Sequence, residues 1–470
     1  MISALVWVPR GASQNKENEI EDFISNSCII GEHEEVMQES ESDSSSVSVD
    51  DVLAPELNSL THQDTLQENY ERDQEDEEEK EDLQYRETDA VVICGLTEDE
   101  VSSLVFYVVE DTEDGPHLYP HHDLVLSSFP LSLAWSDVSS FDRWRNCRSC
   151  VAVGSLIPQI EIYDANAIDE LEPVAILGET RVSRRSSSSA KSRTKRRPKK
   201  VDSEYHTDSV LSLSWNRNEK QFLASGSADC TVRCWDITTC KSVRTWAHHE
   251  KEVQSVCWHE KEPTLLLSGS FDGTVSLLDT RVDQNIPNFC LSVSSDVEAV
   301  CWVPTSWGGD ASFQFLTTLE DGTMQLFDSR MTSSESQLSV ALWSCKAHAK
   351  AVSACTFSAH FKGLLVTGSL DESLRLWDCK DNRPQLVKEW STTGVGAIFA
   401  TQFCQDKEMS NWLALSGSKG KLELMDILTI GDTLVQHFPE CSQLDSRLYR
   451  NNNRSFIGAY SDDESLSSSD

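Results

Sequence analysis

The stretch SGSADCTVRCWD, residues 225–236, joins a short turn-forming motif to an alternating apolar strand that ends in Trp-Asp. Related stretches that also end in aspartate follow at residues 268–279, 316–328, 367–378 and 416–426. From Asp236 onward, the first four of these aspartates are spaced by 43, 49 and 50 residues. A period of this length is typical of chains that build one small β-sheet per repeat. The sequence therefore predicts a repeat architecture over its C-terminal half.

An aromatic residue marks a second period, because it ends an alternating strand ahead of each repeat. These aromatic residues are Trp7, Trp135, Trp215, Trp258, Trp302, Phe357 and Phe403. A further repeat end, VGSLIPQIEIYD, closes upstream at Asp164. Seven such strands predict seven four-stranded blades in one ring. We therefore predict an all-β, seven-bladed WD-repeat β-propeller, in which residues 2–8 form the inner strand of blade 1 or, alternatively, an outer strand that closes the ring.

Two low-complexity segments interrupt the repeats and are predicted to be disordered insertions, one acidic and one basic. Between Lys16 and Asp89 there are 26 Asp/Glu against 4 Lys/Arg, and such a segment cannot bury enough apolar surface to fold. Residues 181–200 are basic and serine-rich. The predicted organisation is 1–10, inner strand of blade 1; 11–89, disordered acidic insertion; 90–180, rest of blade 1 and blade 2; 181–205, basic loop; 206–440, blades 3 to 7; 441–470, disordered tail.

Composition and cysteine usage disfavour several classes of protein. A formal net charge of -38 disfavours general nucleic-acid affinity unless positive charge is concentrated locally. No apolar run is long enough to span a membrane, and Arg10 follows the first apolar segment, so we expect neither a membrane span nor a secretory signal. The 15 cysteines are scattered and are predicted to be reduced. Cys147 and Cys150 lack a second ligand pair, so we predict no metal site and no cofactor.

Three blades carry His, Ser or Thr, and Asp at constant offsets, a set that resembles a catalytic triad. The set comprises His206, Ser225, Asp229 and Trp235 in blade 3, His249, Ser268 and Asp272 in blade 4, and His348, Thr367, Asp371 and Trp377 in blade 6. Catalysis needs one such set with an exposed nucleophile. Three copies on a repeat indicate instead a buried hydrogen-bond network under a turn, and we predict no catalytic residues. Leu278 replaces the tryptophan of blade 4; blade 5 retains only Asp321 and blade 7 has Lys419, so these two blades are expected to be looser.

The order of motifs along the chain resembles the periodic tryptophan protein one family of WD-repeat proteins. The resemblance is carried by ALVWVPRG, YPHHDLVLSSFPLSLAW, DELEPVAILG before the basic tract, and HTDSVLSLSWN. It implies a non-enzymatic nuclear and nucleolar scaffold, associated with chromatin, that acts in rRNA gene transcription and large-subunit rRNA processing. The implied partners are ribosome-precursor proteins, rRNA, and rRNA gene chromatin or histones. We expect a monomer without a small-molecule substrate.

The two insertions and the tail supply candidate contact and modification sites. Ten Lys/Arg in residues 181–200 are typical of a nuclear localisation signal or a phosphate contact, unless this is an inert solvated loop. The candidate residues are Arg184, Arg185, Lys191, Arg193, Lys195, Arg196, Arg197, Lys199 and Lys200. The acidic insertion is either a solubilising spacer or a binder of basic proteins. Ser40, Ser48 and Ser461 have an acidic residue three positions later and are candidate phosphorylation sites.

Two repeat ends leave a second functional class open. Residues 278–281, LDTR, and 327–330, FDSR, place Arg281 and Arg330 two positions after the terminal aspartate of consecutive repeats. This pattern resembles the box by which some propellers dock on a cullin-ligase adaptor. The alternative function is therefore a substrate receptor of a cullin-RING ubiquitin ligase.

Overall fold

The structure is a computed structural model of the 470-residue chain. It describes residues 1–12, 85–86, 88–112, 115–138, 141, 144, 147, 149–168, 172–178, 204–282, 286–330, 341–380, 383–391, 393–443 and 456–458. The acidic insertion and the basic tract lie almost entirely outside these described residues. In the part that is described, no helix is both long and apolar enough to cross a membrane.

The described strands form seven antiparallel four-stranded sheets, as predicted for a seven-bladed all-β propeller. Blade 1 is β1 (Ile2–Val8), β2 (Ala90–Glu98), β3 (Val101–Thr112) and β4 (Gly115–Val125); blade 2 is β5 (Pro130–Asp137), β6 (Ser149–Ser155), β7 (Ile160–Asp164) and β8 (Ala175–Leu177). Blade 3 is β9 (Val210–Trp215), β10 (Phe222–Ser227), β11 (Val232–Asp236) and β12 (Lys241–Trp246); blade 4 is β13 (Val253–Trp258), β14 (Leu265–Ser270), β15 (Thr274–Asp279) and β16 (Phe289–Ser292).

The remaining blades follow in chain order. Blade 5 is β17 (Val297–Trp302), β18 (Gln314–Leu319), β19 (Thr323–Asp328) and β20 (Trp343–Lys346); blade 6 is β21 (Ala354–Phe357), β22 (Leu364–Gly368), β23 (Leu374–Asp378) and β24 (Gln385–Trp390). Blade 7 is β25 (Ile398–Phe403), β26 (Trp412–Gly417), β27 (Leu422–Asp426) and β28 (Phe456–Gly458). Short 3-10 turns span Thr305–Trp307, Gly309–Phe313, Ile427–Ile430 and Pro439–Gln443, and a short helix, α1, spans Asp432–His437.

The first strand of each blade packs against the first strands of its two neighbours, so these seven strands form the inner ring. In particular, β1 packs against both β5 and β25, and it pairs with β2 in its own sheet. Residues 2–8 are therefore the innermost strand of blade 1 and not an outer strand.

The glycine of the repeated Ser-Gly-Ser motif has a packing role between blades. A Cβ built on Gly226 would lie 2.8 Å from a methyl of Val253, and one on Gly269 would lie 2.6 Å from a methyl of Val297. Both valines begin the inner strand of the next blade. Real Cβ atoms do not approach so closely, because packing at native density leaves no room for the overlap. Glycine at this position therefore sets the close spacing of neighbouring blades.

Blades 7 and 1 meet where the ring closes, and they share no sheet. All four strands of blade 1 come from residues 2–125, and all four strands of blade 7 come from residues 398–458. The contact is an apolar cluster that includes Trp7 and Trp412, together with hydrogen bonds at its edge. The backbone N–H of Trp7 donates to Gln402 Oε1 at 3.0 Å, and its indole N–H donates to the Gln402 carbonyl at 2.9 Å. The backbone N–H of Arg10 donates to Asp406 Oδ2 at 3.0 Å. This seam is stabilised by side-chain packing and these few bonds.

Two features differ from the sequence-based expectations. Residues 456–458, within the predicted tail, form β28, because blade 7 needs a fourth strand to cover β27. The prediction that all cysteines are reduced is wrong for Cys147 and Cys150, which are joined in a disulfide. The chain between them brings their Cα atoms to 6.5 Å, within the range that a disulfide spans. The other described cysteines form no disulfide.

Candidate functional site

The hydrogen-bond network of blade 3 lies under the turn between β10 and β11. His206 Nδ1 lies 2.9 Å from Asp229 Oδ2, and His206 Nε2 lies 2.7 Å from Ser225 Oγ. The indole N–H of Trp235 donates to the same Ser225 hydroxyl at 2.8 Å. His206 and Ser225 are completely buried. The four predicted residues therefore form one continuous chain of hydrogen bonds.

Blades 4 and 6 repeat this geometry with local variations. In blade 4, His249 lies 3.1 Å from Asp272 and 2.9 Å from Ser268; Leu278 offers no N–H to that serine. In blade 6, the distances from His348 are 3.3 Å to Asp371 and 2.8 Å to Thr367, and Trp377 donates to Thr367 at 2.9 Å. The structure thus brings together every residue of the three predicted sets.

The donor and acceptor of each hydrogen bond in blade 3 can be assigned because the Ser225 hydroxyl has a single proton to donate. Because Trp235 donates to Ser225, the serine hydroxyl donates its own proton to His206 Nε2, and the Nδ1–H of the neutral ring donates to Asp229. Burial lowers the pKa of His206 despite the nearby carboxylate, which agrees with a neutral ring. Burial alone would raise the pKa of Asp229, but hydrogen bonds from His206 and the following polar groups outweigh it and hold this pKa well below its usual range. The network contains one anion and a polarised neutral histidine.

The network is unsuited to nucleophilic chemistry in its folded form. A triad serine needs an exposed oxygen beside oxyanion donors. Ser225 and Ser268 are fully buried, and the Ser225 oxygen already interacts with Trp235 and His206. The arrangement instead satisfies polar groups beneath a turn, where an unpaired group would be costly. Its chemistry is that of a structural brace.

Blades 5 and 7 depart from this network. Asp321 is exposed, and its carboxylate accepts a hydrogen bond from the Thr323 backbone N–H at 2.8 Å. Lys419 is exposed at the corresponding position of blade 7. The Ser416 hydroxyl, which lies where the other blades place Ser or Thr, is buried without a hydrogen-bond partner. Neither blade has a buried histidine to brace its turn.

Four buried or half-buried histidines among the described residues have lowered pKa values, so the stabilisation that depends on their neutral form is lost in acid. Burial lowers the pKa of His206 and His348, and it lowers the pKa of His122 and His248 to about 4. The unfolded chain takes up these protons near pH 6.5, whereas the folded chain does so only at lower pH. Protons therefore bind preferentially to the unfolded state as the pH falls from about 6.5 towards 4.

We accordingly expect the stabilisation that depends on these histidines to be present in full above pH 6.5 and to fall by about 1 kcal/mol or more by pH 4.5. Burial raises the pKa of Glu298 to about 7 and that of Asp426 to about 6, which acts in the opposite direction, so the histidine contribution is the difference between the parent and His248→Gln. Urea unfolding followed by tryptophan fluorescence across this range measures the loss. His248→Gln removes one contributing group and is expected to flatten the profile. The same pH dependence of the urea midpoint in the parent and in His248→Gln, between pH 7.5 and 4.5, would contradict the prediction.

The two candidate adaptor contacts have the same local geometry. Arg281 makes a bidentate interaction with Asp279, with Nη2–Oδ2 at 2.6 Å, and Arg330 does the same with Asp328 at 2.7 Å. The Arg281 side chain is 68% exposed and that of Arg330 is 44% exposed. Arg330 also lies over the ring of Phe313, 5.3 Å from its centroid. The aspartates hold both guanidinium groups in a fixed orientation at the blade ends.

A carboxylate that the repeat pattern does not single out lies on the inner ring. Glu298 is the second residue of β17 and is half-buried. Burial, together with the negative charges of Glu320 and Asp296, raises its pKa to about 7. Asp296 has a cation nearby, since Lys251 Nζ lies 3.6 Å from its Oδ1. These acidic groups lie at the upper face, defined as the end of the ring that carries the loops into the inner strands and the turns between second and third strands.

Other functional candidates lie outside the described residues. These are Arg184, Arg185, Lys191, Arg193, Lys195, Arg196, Arg197, Lys199 and Lys200 of the basic tract, and Ser40, Ser48 and Ser461. Their roles remain predictions. Among the residues that the structure does describe, no group of three or more His, Cys, Asp or Glu is arranged to hold a metal ion.

Sequence reasoning missed one member of each network. The hydroxyls of Thr231, Thr274 and Ser373 donate to the network aspartates at 2.6, 2.5 and 2.5 Å. The available signal was a Ser or Thr two residues after each aspartate, a spacing at which a side-chain oxygen accepts locally. Gln402 at the seam had no comparable signal, because its partner Trp7 is nearly four hundred residues away.

Comparisons with known proteins agree with this geometry. The family profile described as "WD domain, G-beta repeat" matches residues 199–236, 240–279 and 339–378. These segments end in blades 3, 4 and 6, the blades with the complete histidine network. The profile therefore matches the blades that retain the brace.

The chain is also similar to three whole proteins. It is 38% identical over 356 residues to an uncharacterized WD repeat-containing protein of Schizosaccharomyces pombe, covering 76% of this chain and 64% of that protein. It is 29% identical to Periodic tryptophan protein 1 of Saccharomyces cerevisiae, covering 76% of this chain and 66% of the relative. It is 29% identical to the Periodic tryptophan protein 1 homolog of Drosophila melanogaster, covering 74% and 69%. The matched region spans just under two thirds of the first two relatives.

From these similarities and the three WD-domain matches, the chain belongs to the periodic tryptophan protein 1 family of WD-repeat proteins.

Proposed function

We propose that this protein is a non-enzymatic nucleolar, chromatin-associated scaffold in ribosome production that acts in rRNA gene transcription and large-subunit rRNA processing. The observation that carries the proposal is the similarity to two proteins named Periodic tryptophan protein 1, which extends over about three quarters of the chain. The sequence resemblance to this family implies the role. The buried serine and threonine hydroxyls of the networks support a binding role over a catalytic one.

The upper face offers a chemistry suited to basic partners. Glu298 is half-buried near Glu320 and Asp296, and burial, followed by these like charges, raises its pKa, so its ionised form lacks a compensating positive charge. A lysine or arginine from a ribosome-precursor protein or histone would supply the missing positive charge. This acidic part of the inner ring is our candidate contact for a basic protein segment.

Glu298→Gln is expected to weaken binding of a Lys/Arg-rich partner segment about tenfold, which corresponds to about 1.4 kcal/mol. The loss arises because glutamine keeps the size of the side chain but removes its charge. Glu372→Gln is the matched control, since Glu372 is an exposed carboxylate of the turn between β22 and β23 on the same face. Titration of a labelled basic peptide by fluorescence anisotropy measures both variants. Equal affinity of the two variants would place the contact elsewhere.

Crosslinking of the tagged full chain in cells tests the function as a whole, with RNA, DNA and protein partners identified together. Enrichment of rRNA precursors, rRNA gene chromatin and ribosome-precursor proteins is the expected result. The second candidate, a cullin-ligase substrate receptor, is favoured by the oriented pairs at Arg281 and Arg330. Recovery of a ligase adaptor that is lost in Arg281→Ala/Arg330→Ala, without ribosomal precursors, would replace the first proposal by the second.

A further inference from the structure

Two cysteine side chains meet where the inner strands of blades 5 and 6 adjoin. Cys301 is the fifth residue of β17, and Cys355 is the second residue of β21. Their sulfur atoms lie 3.4 Å apart, although 54 positions separate the two residues in the sequence. Neither residue is fully buried. We call these two cysteines the thiol pair.

The thiol pair lies where other blade boundaries have a bond between a serine and the backbone. Between blades 3 and 4, the Ser214 hydroxyl accepts a hydrogen bond from a backbone N–H of β13 at 3.1 Å. Between blades 4 and 5, the Ser255 hydroxyl accepts one from a backbone N–H of β17, also at 3.1 Å. The corresponding positions of β17 hold Cys301 and Ala299. The boundary between blades 5 and 6 therefore has two thiols in place of these serine hydroxyls.

The surrounding packing keeps the two sulfur atoms together. Both cysteines pack against an apolar cluster that includes Leu316 of blade 5 and Phe357 of blade 6. Packing at native density restricts the side chains that it surrounds. The contact between the sulfurs is therefore built into the fold, and a disulfide between them needs an approach of only about 1.4 Å to reach the usual S–S bond length.

The hydrogen bond between the thiols distinguishes the two sulfurs chemically. This bond with Cys355, followed by burial, raises the pKa of the Cys301 thiol well above its usual range. Cys301 therefore keeps its proton and donates it to the Cys355 sulfur. The attacking species in thiol chemistry is the sulfur without its proton. The geometry thus makes Cys355 the nucleophile of the pair and Cys301 the second thiol to react.

We propose that the thiol pair is an oxidation site, at which hydrogen peroxide joins Cys301 to Cys355 in a disulfide between blades 5 and 6. The Cys355 sulfur attacks one peroxide oxygen and the O–O bond breaks, which gives a sulfenic acid and releases the other oxygen as water. The Cys301 sulfur then displaces the hydroxyl group, which leaves as a second water with the Cys301 proton. The two thiols lose two electrons and two protons in all, and the peroxide is reduced to two waters.

The disulfide would link a blade without a histidine network to one that has it. In blade 5, Asp321 has no buried histidine to pair with, whereas in blade 6 His348 lies 2.8 Å from Thr367. A covalent link between positions 54 residues apart also removes conformational freedom from the unfolded chain. Oxidation therefore strengthens this boundary, and a thiol reductant reverses the change.

Peptide mapping of the full chain after treatment with hydrogen peroxide tests the site directly. Cleavage after lysine, arginine and glutamate separates the relevant cysteines, because Glu298 lies between Cys290 and Cys301. We expect the peptides of Cys301 and Cys355 to be linked within single chains. This link should be at least about tenfold more abundant than any link of the exposed Cys290 or of Cys257, since the contact gives the pair a high effective concentration.

Cys257 is the matched control, because it has the same place in β13 as Cys301 has in β17. A dominant link to Cys257 or Cys290, a link found only between two copies of the chain, or no link at all would overturn the proposal. This mapping uses the parent chain and does not depend on the folding of a variant.

Urea unfolding provides a second readout, with Cys355→Ser as the test variant and Cys257→Ser as its control. Peroxide treatment is expected to raise the urea midpoint of the parent and of Cys257→Ser by about 1 M, and dithiothreitol should restore it. The midpoint of Cys355→Ser should not rise. An equal rise in Cys355→Ser, or no rise in the parent, would show that oxidation of the thiol pair does not strengthen the boundary.

Discussion

Removal of residues 1–10 is expected to abolish cooperative folding of the seven-bladed ring. This segment supplies the inner strand of blade 1, and Ile2, Trp7 and Val8 on it are buried to within 1%. Losing a single buried Leu or Ile costs about 2–5 kcal/mol and losing a tryptophan costs about 3–5 kcal/mol. The sum for Ile2 and Trp7 alone, about 5–10 kcal/mol, is comparable to the total of about 5–15 kcal/mol by which a typical domain is stable. Blade 7 would also lose the partner of Gln402.

Circular dichroism and thermal melting of the parent and the deletion measure this effect. Trp7→Ala is a milder variant and is expected to lower the free energy of unfolding by about 3–5 kcal/mol. The control is deletion of residues 16–85, the predicted acidic insertion, which should leave the melting temperature nearly unchanged. If the chain without residues 1–10 melts like the parent, β1 does not contribute to the ring as described.

Substitution of the network aspartates is expected to destabilise the propeller in a graded order. Asp229→Ala removes the acceptor of the His206, Thr207 and Thr231 bonds and should cost about 2–3 kcal/mol. Asp371→Ala should cost about 1–3 kcal/mol, because its bond to His348 is longer, at 3.3 Å. Hydrogen bonds, chiefly from Ser373 and Ala349, lower the pKa of Asp371 to about 2 although burial opposes this, so its anion is well satisfied when folded.

Asp321→Ala is the matched control for this series. It removes the corresponding turn aspartate of blade 5, which is exposed and has no histidine partner, and should cost no more than about 0.5 kcal/mol. Urea midpoints at constant slope separate these values. Equal midpoints for the three variants would show that the network does not stabilise its blades more than an ordinary turn does.

The propeller fold was predictable from the sequence because short-range patterns specify each blade. Alternation in segments such as VQSVCW indicates a strand with one face buried, and the structure gives β13 this pattern of burial. The Ser-Gly-Ser glycines and the Trp-Asp ends recur within each repeat, so one blade can be recognised from a few tens of residues. The histidine networks were equally visible, since all their members belong to one blade.

The candidate sites depended more strongly on contacts between distant parts of the chain. The pKa of Glu298 is raised first by its burial in the inner ring and then by the charges of Glu320, in the turn between β18 and β19, and of Asp296. The disulfide between Cys147 and Cys150 depends on the path of the chain before β6, which the repeat pattern does not describe. The spacing of the two cysteines in the sequence does not predict this path of the chain.

The number of blades, the strand pattern within them and the three turns with histidine networks can be predicted from the sequence, because they follow from hydrophobic alternation and side-chain chemistry over one repeat. The contact between blade 7 and blade 1 is visible only in the folded ring. The bonds between Trp7 and Gln402 form because ring closure brings blade 1 against blade 7. No periodic signal encodes that contact, since it occurs once and joins residues about four hundred positions apart.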